Sequence, residues 1–440
     1  MMSHSNNRRI SQAMIILSAF VALPASAQTI NEVMKIVASD AATYDTFGSS
    51  VAISGTTAIV GIDGDDDGGF NSGSAILFDT ETGLQLFKFI ASDPAVSGYF
   101  GEAVAISGTI AIIGAYGNEA AYLFDTITGQ EIYKLTAADG EEDDRFGFSV
   151  AISGTAALVG AHWDDDWDRN SGSAYIFDTT TGQQLFKLTA SDGGRDESFG
   201  YSVAISDTTA LVGAGSNDAG IASGSAYIFD TTTGQELFKL TASDAAQFDF
   251  FGDAVAISGT TAIVGARGSG SAYIFNTTTG QELFKLTAAD GEEGDRFGFS
   301  VAISGTTALV GADYDDDAAG SVYAFDTTTG QQLYKLVASD GAMDDVFGNA
   351  VAISGTTALV GARYDDDAGD ASGSAYFFNL TGTESCRADL TGEGDLNFLD
   401  VSAYLAAFGA GDLAADFTGE GDFNFLDVSA FLAAFAAGCP

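Results

Sequence analysis

A Phe-Gly pair recurs at Phe47, Phe100, Phe146, Phe199, Phe251, Phe297 and Phe347, with spacings of 53, 46, 53, 52, 46 and 50 residues. Each pair leads into a near-copy of Val-Ala-Ile-Ser-Gly-Thr-Thr-Ala-Leu-Val-Gly-Ala, as at Val301 to Ala312. An acidic loop, a Ser-Ala-Tyr-Ile-Phe-Asp segment, a Thr-Thr-Gly turn and a Leu-Phe-Lys-Leu segment follow. The unit thus holds four short β-branched or aromatic runs separated by turn residues, the pattern of four antiparallel strands, A to D in chain order. Units of this kind are blades of a β-propeller. A four-stranded sheet cannot cover both its faces, so blades pack on neighbours around an axis, and their strands are apolar on both sides. The small residues of strand A suit the crowded inner end of a blade. The Phe ring is expected between blades, with Gly permitting close backbone approach.

The seventh unit stops after its strand C, at Ser374 to Leu380. Val33-Met34-Lys35-Ile36-Val37-Ala38, ahead of the first Phe-Gly pair, aligns with strand D as it stands at Leu333 to Ala338. Seven A-B-C sets and seven D strands balance only if this N-terminal strand completes the last blade. Every lysine falls in strand D: Lys35, Lys88, Lys134, Lys187, Lys239, Lys285 and Lys335. Lysine on an outer edge discourages aggregation between strands; a functional basic ring is the alternative.

These residues resemble the bacterial FG-GAP repeat family, whose better-known relatives form the seven-bladed propeller of integrin α chains. The resemblance covers residues 33 to 380. Integrin-type blades hold calcium in an Asp-rich loop between strands A and B, whereas that place here is a short Ser-Gly-Thr-Thr turn. The family's calcium ligands therefore do not carry over to the propeller. The acidic runs lie in the B–C loops instead: Asp63 with Asp65 to Asp67, Asp164 to Asp166, Asp313 with Asp315 to Asp317, and Asp365 to Asp367. The D–A connections are acidic too, as in Asp139 to Asp144 and Asp290 to Asp295. Both sets emerge on one face, which should be strongly acidic. Such loops suit Ca²⁺, in specific sites or as weak many-site binding. The plainer reading is a solvated acidic surface.

The termini carry different signals. Arg8 and Arg9, the apolar run Ala13 to Leu23 and Ala25-Ser26-Ala27 read as a secretory signal peptide over 1–27. No stretch is long enough to span a membrane. The propeller is expected over 28–380, a linker over 381–386 and a separate module over 387–440. In that module Asp389-Leu-Thr-Gly-Glu-Gly-Asp-Leu-Asn-Phe-Leu-Asp400 recurs 27 residues later as Asp416 to Asp427. EF-hand-like loops place oxygen ligands at positions 1, 3, 5, 7, 9 and 12, with Gly at 6. Asp389, Thr391, Glu393, the Asp395 carbonyl, Asn397 and Asp400 fit one ion. Asp416, Thr418, Glu420, the Asp422 carbonyl, Asn424 and Asp427 fit a second. Each loop runs into an apolar helix of about two turns.

The pair resembles a dockerin of the type ending in Gly-Cys, a calcium-folded module that docks a secreted protein onto a cohesin. Thr at position 3 and Glu at position 5 depart from that family's usual Asn and Asp. Cys386 and Cys439 bracket the module, and in an exported protein they can form a disulfide. The near-identical copies give an internal two-fold character.

The expected fold is all-β, a seven-bladed propeller of four-stranded blades closed by the N-terminal strand, plus a small α-helical dockerin-like module. The net charge of −45, from 61 Asp and Glu against 16 Lys and Arg, excludes a nucleic-acid partner. With two histidines, one of them His4, histidine-based catalysis rests on His162 alone. The residues favour an exported, non-catalytic binding or adhesion protein, secreted or held at the cell surface. Its cofactor would be Ca²⁺. Its partners would be a cohesin-like or cell-envelope protein at the tail and a protein or glycan on the propeller. The alternatives are a scaffold-tethered polysaccharide-acting enzyme and a structural envelope protein. Trp163, Trp167 and His162 form a candidate sugar-stacking patch on the blade-three loop.

Overall fold

The computed structural model describes residues 28–216, 222–380 and 398–410, together with Ala415, Val428, Ser429, Phe431, Leu432 and Phe435. Seven sheets make a seven-bladed propeller. Blade three shows the plan: Phe146–Ser153, Ala156–Ala161, Ser173–Asp178 and Gln184–Leu188 pair antiparallel in chain order. Strands B and C are buried along nearly their whole length, because each face meets a neighbouring blade. The core is accordingly split into seven clusters, one at each junction between blades. Between blades three and four, Leu158, Ile176 and Leu188 meet Val212, Tyr227 and Phe229. Each such side chain contributes about 2 kcal/mol when fully buried.

The Phe-Gly pair is the wedge at every junction. The Phe199 backbone bridges to Gly172 of blade three, while its buried ring lies edge-on against Tyr227 and Phe229 of blade four at 5.5 and 5.8 Å. Gly200 follows with φ +89°, and a Cβ there would sit 2.3 Å from the Ser173 carbonyl oxygen. Only glycine lets the two backbones meet so closely. At the other end of the axis the A–B turns are joined in a ring. The amide of each turn's first residue donates to the last serine of the preceding blade's strand A, from Gly108 N to Ser54 Oγ round to Gly55 N and Ser354 Oγ. All seven of these bonds are 3.1–3.3 Å long.

The ring closes through Met34–Ile36, which pairs antiparallel with Ser374–Asn379 and sets Lys35 opposite Tyr376. A further strand, Gln28–Asn31, was not legible in the repeat. It runs parallel to Gln332–Val337 and makes blade six five-stranded. The outer edge of a blade offers unpaired amides and carbonyls, and Ile30 gains cover against Leu333 and Tyr334.

In the C-terminal part, Phe398–Ala410 is a helix of 13 residues, longer than the two turns expected. Its Tyr404 stacks on Phe431, the equivalent residue of the second copy, with centroids 4.0 Å apart and planes 5° from parallel. Among the described residues no helix is long and apolar enough to cross a membrane.

Closure makes a testable demand. Ile36 is 6% exposed in the cluster between blades seven and one, whereas Val33 is 66% exposed. Ile36→Ala should cost about 2–4 kcal/mol in chemical denaturation, and Val33→Ala less than about 0.5 kcal/mol. Equal effects would mean that the closing strand carries no load.

Candidate functional site

Two features share one face of the propeller: an acidic perimeter and a mouth on the axis. The perimeter is organised by the lysines. From strand D of blade three, Lys187 passes 5.2 Å from the Tyr175 ring centroid and donates to Asp139 at 2.8 Å, Asp164 at 2.9 Å and Asp166. Asp139 comes from the D–A connection and the other two from the B–C loop, so one ammonium ties both loops to the blade. Lys88 repeats this with Asp40, Asp65 and Asp67, Lys335 with Asp290, Asp315 and Asp316, and Lys35 with Asp340, Asp365 and Asp367. Lys134, Lys239 and Lys285 bind Asp93, Asp192 and Asp244. The lysines therefore tie loops to the blades, a role additional to the edge protection expected of them. Oxygens of Asp340, Asp365 and Asp367 lie within 4.8 Å of one another, a spacing suited to a cation. The Lys35 ammonium bonds to all three.

Burial opposes the charge on Lys187, but its hydrogen bonds, led by Asp139 and Asp166, outweigh that and hold its pKa well above the ordinary lysine value. Burial likewise tends to raise Asp139, and the Lys187 hydrogen bond outweighs it, leaving Asp139 low. The depressed aspartate stabilises the fold above about pH 4 and loses that contribution as pH falls further. The raised lysine stabilises below about pH 10.5, and that contribution is lost as pH rises through the folded value. Lys187→Met strands the buried Asp164, and should cost about 3 kcal/mol at pH 7. Denaturation across pH should show the deficit shrinking below about pH 4. A pH-independent deficit would mean that packing, not charge, is what the lysine supplies.

On the axis the repeat stops being uniform. The residue after each Phe-Gly pair is in turn Ser49, Glu102, Phe148, Tyr201, Asp253, Phe299 and Asn349. The residue after each strand B is Asp63, Tyr116, His162, Gly215, Arg267, Asp313 and Arg363. All seven of the first set, with Arg267 and Arg363, line a cavity of about 370 Å³ at the channel mouth. Below it the channel continues between the seven strands A. Sequence reasoning missed this site. The signal was two adjoining positions that change from unit to unit while their neighbours stay constant.

The mouth has an aromatic side and a polar side. Tyr99 stacks on Tyr116 at 4.9 Å, and Phe148 lies 5.7 Å from Tyr116, 4.2 Å from His162 and 5.1 Å from Tyr201. Burial, then the Arg145 charge, pushes His162 down to about 3, so its imidazole is neutral. The Arg145 guanidinium lies over Trp163 at 3.4 Å, and Trp167 is 72% exposed. The His162 and Trp163 rings lie 5.6 Å apart and form one cluster, whereas Trp167 stands out into solvent.

On the polar side, Arg267 Nε donates to Asp253 at 2.6 Å, and Arg296 Nη1 is 3.7 Å from Asp313. Burial raises Asp313 to about 6 against the pull of Arg296. Burial and the neighbouring Asp63 push Glu102 well above the ordinary carboxylate range. Asp63 in turn accepts from Thr46 Oγ1 at 2.6 Å. Asn349 donates to the carbonyls of Gly48 and Ser49 and accepts from the Arg363 amide.

Of the twelve expected calcium ligands in the tail, Asp400 is described, and it is fully buried in the first turn of Phe398–Ala410. Asp389, Thr391, Glu393, Asp395, Asn397, Asp416, Thr418, Glu420, Asp422, Asn424 and Asp427 lie outside the described residues, as do Cys386 and Cys439.

A family model described as FG-GAP repeat matches seven times, at residues 30–78, 84–124, 130–177, 183–229, 235–275, 281–325 and 331–378. Each match runs from strand D of one blade to strand C of the next, so the family unit is centred on the wedge. The first match takes in the closing strand Met34–Ile36. No curated protein matches the chain. The seven matches span well over half of the 440 residues, and the chain belongs to the FG-GAP repeat family.

Proposed function

We propose that this is an exported, non-catalytic binding or adhesion protein whose propeller recognises an extracellular partner at the axial mouth. A calcium-folded, dockerin-like tail anchors it to a cohesin-like or cell-envelope partner. The observation that carries the first part is the axial ring: a uniform scaffold presents seven residues, six of them different in type, around one cavity. Membership of the FG-GAP family supports a protein-binding or adhesion role. Against catalysis, the His162 Nδ1 is buried without a hydrogen-bond partner, where a Ser-His-Asp arrangement needs a carboxylate. For the tail, the stacking of Tyr404 on Phe431 supports two copies that fold as one unit, and the repeated loops supply the oxygen set that Ca²⁺ takes.

Two measurements test the two halves. Phe148→Ala with Tyr201→Ala should weaken capture on a panel of extracellular proteins and glycans by about tenfold or more. Capture that ignores these changes would move recognition away from the axis, and release of reducing ends from any glycan in the panel would favour the enzyme reading. Calorimetric titration of Ca²⁺ into chelator-stripped full chain should show two strong sites, both lost in Asp389→Ala with Asp416→Ala. Strong sites that survive would shift calcium to the propeller loops and overturn the tail reading.

A further inference from the structure

All seven lysines lie within 2.9 Å of an aspartate oxygen, and Arg267 and Arg296 each face a carboxylate of their own. Among the described residues Arg145 and Arg363 make no ion pair, in a chain with 61 acidic residues. Arg145 is taken up by the Tyr116 and Trp163 rings; Arg363 lines the mouth. Its guanidinium lies 4.8 Å from the Tyr364 ring centroid, and its Nε is buried without a hydrogen-bond partner. Ser49 Oγ, on the adjoining blade, is also buried and unpartnered. Both residues line the axial mouth. A buried donor without an acceptor costs about 1–3 kcal/mol, a cost that water or a ligand in the mouth relieves.

The rest of the mouth narrows what brings that acceptor. Glu102, pushed upward by burial and by Asp63 beside it, also lines the mouth. Facing the Arg363 and Ser49 donors, Phe148 and Tyr201 stand 5.1 Å apart and offer ring faces. Asp253 lies on the same rim, where it accepts from Arg267. A pyranose offers both an apolar face for the rings and hydroxyls for the polar side of the mouth. The cavity of about 370 Å³ suits one sugar-sized group, not a folded segment.

We infer that the axial mouth binds a hexuronate sugar, with the Arg363 guanidinium and the Ser49 hydroxyl holding its carboxylate and Phe148 and Tyr201 packing on its ring. Arg363 supplies the planar, charge-assisted donors that a carboxylate takes. The inference rests on the mouth being the recognition site and names its ligand class.

The test uses the full mature chain and four free sugars: D-glucuronate and D-galacturonate beside D-glucose and D-galactose, with N-acetyl-L-glutamate as an acyclic carboxylate. Saturation-transfer NMR and calorimetry should show at least one uronate binding about tenfold or more tighter than its neutral parent. Arg363→Gln should remove about tenfold and Ser49→Ala about threefold of that affinity, while Trp167→Ala leaves it unchanged. Thermal melts of each variant separate lost binding from lost folding, and Arg363 has no ion pair whose removal would unfold the ring. Equal binding of a uronate and its neutral parent would overturn the carboxylate role. Equal binding of N-acetyl-L-glutamate would overturn the sugar and point to an acidic side chain of a protein. Absence of uronate binding, with panel capture still dependent on Phe148 and Tyr201, would overturn the ligand class and leave the recognition site standing. Loss of both dependences would sink the two together.

Discussion

No blade of this ring is stable without its neighbours, because strands B and C carry apolar residues on both faces. The Phe-Gly wedge meets that constraint. One residue gives a ring to the blade ahead and a backbone bridge to the blade behind, and the glycine beside it clears the space for both. Because every junction depends on the next, the last one must also be made. It is made by Met34–Ile36 against Ser374–Asn379, residues more than 300 apart in the chain. So distant a pairing is costly to form and slow to find. The turn-to-turn ring of serine hydrogen bonds at the opposite end of the axis is closed by the same step, since Gly55 N donates to Ser354 Oγ. Closure therefore acts on both faces of the disc at once.

The second constraint is charge. A particle with 61 acidic residues and 16 basic ones repels itself, and its loops would spread without local neutralisation. Seven lysines at one repeat position provide it. Each reaches from the outer strand back over the blade to a carboxylate of the D–A connection, and among the described residues four of them, Lys35, Lys88, Lys187 and Lys335, reach the B–C run as well. A side chain that arrives with the fold gathers these loops. The arrangement also commits every lysine. Four of the six arginines between residues 28 and 380, Arg145, Arg267, Arg296 and Arg363, lie around the axis instead. The perimeter is locked by lysine, and the centre is furnished with arginine and aromatic rings.

Most of the architecture was legible because it is local and repeated. Four strands, seven blades, the wedge and the missing seventh strand D all follow from patterns within one unit or from counting units. What escaped was of another kind. The partners of Lys187 lie 48, 23 and 21 residues away and belong partly to the preceding connection, so no window on one unit contains the latch. Gln28–Asn31 pairs in parallel with blade six, and parallel pairing leaves no turn signature to read. His162 and Trp163 share one ring cluster beside Arg145, whereas Trp167, four residues further along the B–C loop, stands exposed. The axial mouth was hidden by the repeat itself, since aligning units draws attention to what agrees.

That last point has a physical basis that reaches beyond legibility. Strands A converge on the axis, so a position at their outer end is separated by about fifty residues from its equivalents in sequence and by one ligand's width in space. The wedge Phe and its Gly cannot change without opening a junction, and the lysine cannot change without releasing the D–A connection. The residue after the wedge touches neither constraint. Ser, Glu, Phe, Tyr, Asp, Phe and Asn therefore occupy equivalent places on equivalent backbones, and a seven-fold scaffold carries a cavity with one aromatic side and one polar side. The asymmetry that recognition requires is concentrated where the fold imposes least.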